Sequence, residues 1–474
     1  MSKCQILKSR EGALTETNKV LKSAVWYTAS NLLIKASGFI TVPIFTRILT
    51  QSEYGQYNNF LSWAAVLGVV CSMSLESTLI SAKYDYRDNF SQYAFSISCM
   101  GVCFACGWWL MVVCAMGPAS AIMDLQPVYI NAMFIYLAFQ PVVNIFQAYE
   151  RFQFKYVATV VTSAAVSLGS ALMSVALILV ANLGLMGAIA GRVVPMATVG
   201  IVLMMILYRQ GKKIDVSAWK YALPIALPFV PHLLAMTLLG SLNKIFIQQM
   251  YGAEQNALYS LANNCALVIS LLTTSLNGAF APWLGEKLAE HNYEITKRLS
   301  RPYVGLFALL ASGVCLLAPE IMLILGGEEY LGAAKLIPAI SMGAVFQFVY
   351  CMYVNIEQFE KKTVGMAAAS VSAAGLNALL DYLVLPKYGY EFAAAATALS
   401  YGWLLFVHML LVKRMGLTKA YDTRYILLSL ACCGVVFWGV SLLYSNIAIR
   451  VLCGLIVAVV LIKQLPRLRQ AMSS

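Results

Sequence analysis

Long apolar runs of this sequence hold ionisable side chains, among them Lys35, Glu76, Arg192, His232, Lys244 and Asp381. Such groups are costly in hydrocarbon, so each is expected to face a water-filled path or a partner. Lys35 stands midway along its run, about 16 Å from either end at helical rise. That is farther than a lysine stem easily snorkels, and the residue reads as facing a cavity. Arg192 follows Gly191 and precedes Pro195, residues that let backbones approach and bend. Lys244 lies nearer the end of its run, where snorkelling competes with a cavity role. Three bases of this kind suit an anionic substrate such as a phosphate or pyrophosphate head group. His232 follows Pro224, Pro228 and Pro231, breaks in one helical ladder that read as a hinge. It is a candidate proton or cation site, with helix packing as the alternative. Glu76 and Asp381 lie toward the ends of their runs and read as interfacial acids or as sites for a coupling proton or cation.

The elements that hold these residues follow from composition. The chain has 474 residues, 60% hydrophobic and 11% charged, with a mean hydropathy of +0.74. Soluble domains carry about 25% charged residues, and disordered chains are far less apolar. Both classes are excluded, which leaves a polytopic membrane protein. Runs of roughly 20 apolar residues number about fourteen. They cover 24–46, 57–80, 91–116, 127–149, 156–180, 184–208 and 221–250, then 258–283, 303–325, 336–356, 364–385, 392–412, 425–444 and 447–462.

The net charge of +12 tests this count. With both termini cytoplasmic, 26 of the 33 Lys and Arg fall on the inner side, 4 fall outside, and Lys35, Arg192 and Lys244 remain within spans. A missed helix would scramble the alternation beyond it, so the asymmetry supports fourteen spans. The basic excess is thus a topology signal, and no nucleic-acid partner is expected. Residues 1–23 are polar and carry no apolar core, so they read as a cytoplasmic segment without a secretory signal.

Enzymatic signatures are missing. There is no G-x-x-x-x-G-K-[ST] phosphate loop, no H-E-x-x-H and no G-x-S-x-G. Cys99, Cys103 and Cys106 share a helical face but read as apolar packing. Asp85 and Asp88 interleave with Lys83 and Arg87 as a surface charge cluster, so no metal site and no disulfide is expected. Short outer loops argue against a membrane glycosyltransferase or polymerase.

The chain divides at the basic loop Arg209-Gln-Gly-Lys-Lys213. At an offset of 202 residues, Arg47–Tyr57 falls on Gln249–Tyr259, each an amphipathic turn leading to a tyrosine at a helix start. The reading is a parallel repeat: a lobe over 24–208, a loop over 209–220, a second lobe over 221–412, two further spans over 413–462 with their preceding loop, and a tail over 463–474. Two such lobes rocking about a central site is a known transporter logic. The expected fold is therefore all-α, with two pseudo-symmetric six-helix lobes plus two C-terminal helices.

Three stretches carry a resemblance to a known family. Pro43-Ile-Phe-Thr-Arg-Ile-Leu-Thr-Gln-Ser-Glu-Tyr-Gly-Gln-Tyr57 resembles the N-terminal signature of the polysaccharide (Wzx-type) flippases of the MATE/MOP superfamily. Leu376-Asn-Ala-Leu-Leu-Asp-Tyr-Leu-Val-Leu-Pro-Lys-Tyr-Gly389, followed by Ala393-Ala-Ala-Ala-Thr-Ala398, is similar to a later motif. The block from Leu223 to Trp283 resembles the family's seventh and eighth spans. The resemblance implies a bacterial inner-membrane transporter, not an enzyme. It would move undecaprenyl-pyrophosphate-linked oligosaccharide repeat units for O-antigen, capsule or exopolysaccharide assembly, by alternating access coupled to H+ or Na+. No other cofactor is implied; the partners implied are the lipid-linked substrate, membrane lipids, and a glycan polymerase with its chain-length machinery. Where the family often has an Asp-Arg pair late in span seven, this sequence reads Asn243-Lys244, which puts ion coupling there in question. A MATE-like multidrug or metabolite antiporter is the alternative, with a membrane glycan polymerase behind it.

Overall fold

The computed structural model describes residues 41–153 and 155–473. The first apolar run begins outside the described residues, and Lys35 lies there; residues 41–48 are helical. No strand occurs among the described residues. Twelve helices are long and apolar enough to cross a membrane, or thirteen if a bent pair is one span. The thirteen later runs each meet one of these.

The first compact unit ends at Leu234. It contains α1 (Gln51–Ser72), α2 (Leu79–Asp85), α3 (Phe90–Cys114), α4 (Met116–Met123), α5 (Pro127–Phe152), α6 (Tyr156–Leu179), α7 (Gly184–Gly211), α8 (Val216–Ala226) and the start of α9 (Phe229–Tyr251). The N-terminus of α1 is closed by a capping box in which Thr50 and Glu53 satisfy each other's backbone N–H groups. The second oxygen of Glu53 accepts from the Leu185 N–H at 3.0 Å, tying α1 to the start of α7. Helix α7 packs against both α5 and α6. At its closest approach to α6, a Cβ on Gly191 would stand 2.3 Å from the Ser174 backbone, so only glycine fits there.

Two expected spans are interrupted. The run over 57–80 breaks after Ser72, where Met73 and Ser74 take positive φ, and the chain resumes at an angle of 43°. The Ser72 hydroxyl accepts from the Ser74 N–H, a local bond that competes with the helical ladder. The run over 221–250 breaks at Leu227–Pro228, where proline supplies no N–H. Only α9 continues from there as a membrane-length helix.

The second unit runs from Ala235. Beyond α9 it holds α10 (Ala253–Ala289), α11 (Tyr293–Leu316), α12 (Ala318–Gly326), α13 (Ile337–Phe359), α14 (Thr363–Tyr388), α15 (Phe392–Arg414), α16 (Thr423–Leu442) and α17 (Ile447–Ser473). Its core is aromatic: Phe307 stacks on Phe348 at 3.9 Å and Phe280 on Tyr303 at 4.4 Å. Helix α15 packs along α13 and α14, and small residues on its inner face (Ala393, Ala394, Ala396, Ser400) permit this. The repeat register reappears in the helix starts, since α1 begins at Gln51 and α10 at Ala253, 202 residues later.

Three charges near the ends of apolar runs are paired within the second unit. Arg450, at the start of the last run and counted on the outer side by the charge tally, is buried in α17, where it donates to Glu320 at 2.6 Å and to the Leu316 carbonyl at 3.1 Å. Glu357, just past the run over 336–356, is fully buried and bonded to His408. In each case a partner on a different helix makes an interior position tolerable.

Candidate functional site

The first unit builds its site around Arg192. Gly191 brings α7 against α6, and the Ser174 hydroxyl donates to the Ala188 carbonyl at 3.1 Å, fixing that seam. Arg192 projects from this seam to the hydroxyls of Tyr57 on α1 and Tyr136 on α5. Its guanidinium carbon also lies 5.5 Å from the centre of the Tyr136 ring, a cation–π distance. Both tyrosines are buried, and Tyr57 is held in turn by an edge contact with Phe45. Among the described residues no carboxylate is within salt-bridge distance of Arg192. A guanidinium oriented by neutral hydroxyls keeps its full charge and its forked donors for an anion.

Glu76 lies in the short 3-10 turn Leu75–Thr78 that follows the break in span two. Its Oε2 is buried without a hydrogen-bond partner. The turn packs against α5 and α8. His232 occupies the first turn of α9, just past the proline break, and its Nδ1 is likewise buried and unbonded.

The second unit builds its site around Asp381, which is fully buried within the protein. Its Oδ1 accepts from Asn243 Nδ2 at 3.2 Å, and that amide also donates to the Ala393 carbonyl at 2.7 Å. Thr397 donates to Asn243 Oδ1 at 3.1 Å, and the Tyr259 hydroxyl bonds Thr397. Asp381 Oδ2 has no donor, and Asn377, one turn earlier on α14, has both amide atoms buried and unbonded. A carboxylate oxygen, amide oxygens, a hydroxyl and a backbone carbonyl therefore converge with bonding capacity to spare. Hard oxygen ligands of this kind suit a small cation or a proton. Among the described residues no group of three His, Cys, Asp or Glu could hold a metal ion.

Lys244 is the residue after Asn243, about 100° further round α9. It is half-buried and has no carboxylate partner among the described residues. Asn243, at the position where the resemblance leads one to expect an acid, donates its amide to the Asp381 carboxylate of α14. The sequence pointed to Arg192, Lys244, Glu76, His232 and Asp381 because charge in an apolar run is conspicuous. It named Asn243 only as the place of a missing acid, and it missed Asn377, Tyr57, Tyr136 and Tyr259 as site residues, since neutral groups are costly only when unbonded. One signal was available: Tyr57 and Tyr259 are related by the 202-residue offset, and each contacts the ionic centre of its own unit.

Comparison with known proteins places this architecture. A profile of the family described as Polysaccharide biosynthesis protein matches residues 20–287. A curated relative, Lsg locus putative protein 1 of Haemophilus influenzae, is 21% identical over 356 residues, which is 71% of this chain and 84% of its own length. The structure of Lipid II flippase MurJ in its inward closed conformation superposes with a TM-score of 0.74 at 12% identity, covering 92% of this chain and 98% of its own. An inward-facing multidrug resistance MATE family transporter of the MOP superfamily gives 0.58 at 13% identity, covering 84% and 95%. At such identities the structural likenesses establish the fold. The family profile spans more than half of the chain, and this multi-pass membrane protein belongs to the polysaccharide biosynthesis protein family, with a fold like that of the MurJ and MATE structures.

Proposed function

We propose that the protein is a flippase for undecaprenyl-pyrophosphate-linked oligosaccharide repeat units in the bacterial inner membrane. It would serve O-antigen, capsule or exopolysaccharide assembly, with both termini cytoplasmic. The observation that carries this reading is Arg192, a guanidinium inside a membrane-length helix whose described partners are the neutral hydroxyls of Tyr57 and Tyr136. A pyrophosphate would meet an available fork of donors there, whereas an organic cation would be repelled. Lys244 in the second unit and Lys35, outside the described residues, are the further cations assigned to the anionic head group.

Transport is driven, in this reading, by a proton or sodium ion held at Asp381 with Asn243, Asn377 and Thr397. Glu76 and His232, each with a buried unbonded atom beside a helix break, are assigned to gating. The proteins that supply and consume such a substrate, a glycan polymerase among them, are the partners implied. The family description and the name of the MurJ fold relative, a lipid II flippase, support a lipid-linked precursor as cargo.

Deletion of the gene tests the proposal. Lipid-linked repeat units should accumulate on the inner leaflet while surface polysaccharide disappears. Unchanged surface glycan with altered drug tolerance would instead select the MATE-like antiporter.

A further inference from the structure

The second unit holds another ionisable pair, which the site above does not use. Glu357 lies near the end of α13 and His408 in the second half of α15, and both side chains are buried, at 0% and 2% exposure. His408 Nδ1 stands 2.6 Å from Glu357 Oε1. Glu357 Oε2 is buried and bonded to nothing among the described residues. The Tyr350 ring stacks on His408 at 5.7 Å and on Tyr401 at 6.2 Å, which holds the imidazole on one face.

A structural clamp would satisfy both carboxylate oxygens, because an unpaired one in a low-dielectric site is costly. Here one oxygen is satisfied and the other is left open. Tyr350 is neutral, and so are the groups about this stretch of α13: Cys351 and Tyr353 on the helix itself, Tyr401 on α15, Tyr421 beyond α15, and the Asn355–Asn277 amide pair to α10. Fixed charges on the packed elements stand toward their ends. Helix α10 carries Glu254, Glu286 and Lys287, α11 carries Glu294, Lys297, Arg298 and Arg301, and α16 carries Arg424 with Asp422 before it. Glu360, Lys361 and Lys362 follow α13, Lys413 and Arg414 close α15, Lys419 lies in the turn beyond it, and α14 carries Asp381 and Lys387 toward its far end. None of these is within salt-bridge distance of the pair among the described residues.

We propose that Glu357 and His408 form a proton-binding site in the second unit, distinct from the Asp381 site. In the proton-poor form a carboxylate accepts from the Nδ1–H of a neutral imidazole, and the site carries one negative charge. One proton, given up by hydronium that leaves as water, forms an O–H bond on Glu357 Oε2 or an N–H bond on the second imidazole nitrogen and brings the net charge to zero. No bond between heavy atoms forms or breaks. The two distributions are equivalent in charge, so the proton belongs to the pair and not to either residue alone. Helix α15 links this site to the other: His408 and Thr397 are eleven residues apart, about 16 Å along the axis. Thr397 bonds Asn243, which bonds Asp381, so α15 carries a contact to each of the two sites.

The test is pH-difference infrared spectroscopy of the purified full chain labelled with 13C-glutamate. The wild type should show a carboxyl band that appears and disappears with pH, absent in E357Q, shifted in midpoint in H408Q, and retained in D381N. E357Q keeps the shape and the bond to His408, and its melting temperature gives a second readout: loss of a titrating group changes how melting temperature depends on pH, whereas loss of a mere clamp lowers it equally at every pH. A wild type with no titrating glutamate band, or a band that survives in E357Q, overturns the proposal. The measurement involves no cargo, so its failure leaves the flippase reading standing, and the deletion phenotype does not bear on it.

Discussion

Arg192 and Asp381 carry the charge of their respective units, and their surroundings differ in a way that assigns different work. Arg192 is oriented by two hydroxyls that do not neutralise it. Arg192→Gln removes the charge while keeping a donor, and charge-assisted bonds are worth about 1.5–3 kcal/mol. Surface polysaccharide output at equal protein level should therefore fall by at least about tenfold, and Arg192→Lys should restore only part of it, since an ammonium lacks the planar fork. Asp381→Asn retains an acceptor for the Asn243 amide but loses the charge. Transport into vesicles should persist at a reduced rate and become independent of the imposed ion gradient; gradient dependence equal to wild type would falsify the coupling role. Both residues were legible in the sequence as charges out of place. Asn377 and Tyr259 were not, because a neutral amide or phenol in an apolar run costs little when bonded, and its partners lie on other helices.

Helices position these residues through a few contacts that no substitution replaces well. Gly191 is the clearest: a Cβ there meets the Ser174 backbone at 2.3 Å, so even Gly191→Ala forces α7 away from α6. Overpacking of this kind typically costs about 1–3 kcal/mol, and a lower melting temperature with reduced membrane abundance is expected. At the start of α16, Asp422 accepts from the Tyr425 N–H at 3.2 Å and pairs with Arg301 at 2.5 Å. The Tyr425 N–H, with Arg301 beside it, holds the Asp422 carboxyl below the usual carboxylate range. A lowered folded value means that its stabilisation is complete above the unfolded value, about 4, and is lost as pH falls through the folded one. Asp422→Ala should therefore cost about 1 kcal/mol at neutral pH, seen as a lower melting temperature, with the difference from wild type vanishing in strong acid. Helix existence was legible throughout from apolar run length. The breaks were read unevenly: Pro228 announced one, whereas Met73 and Ser74 carry no glycine or proline and gave no warning.

At the scale of the whole chain, charge asymmetry sets orientation. With Arg450 reassigned from the outer side to a buried pair with Glu320, the outer side carries still fewer cations than the sequence count allowed. Reporter fusions should therefore place the loop at Lys212 in the cytoplasm and the turn at Asn182 in the periplasm; the reverse result at either site would overturn the assigned topology. The 202-residue register, faint as identity, returns as matching helix starts at Gln51 and Ala253 and as matching tyrosines within each unit.

The sequence by itself determined the class of molecule, the number and order of its helices, the family, and which charges stand in apolar runs. Those properties follow from local quantities, since hydrophobic run length, basic residues at run ends and short motifs need no knowledge of neighbours. Tertiary structure alone decided the partners. It gave Arg192 two tyrosines, gave Asp381 an amide from another helix, buried Arg450 against Glu320, and joined Glu357 to His408. Each pairing links residues far apart in the chain, and what a buried polar group costs depends on the atom it meets there.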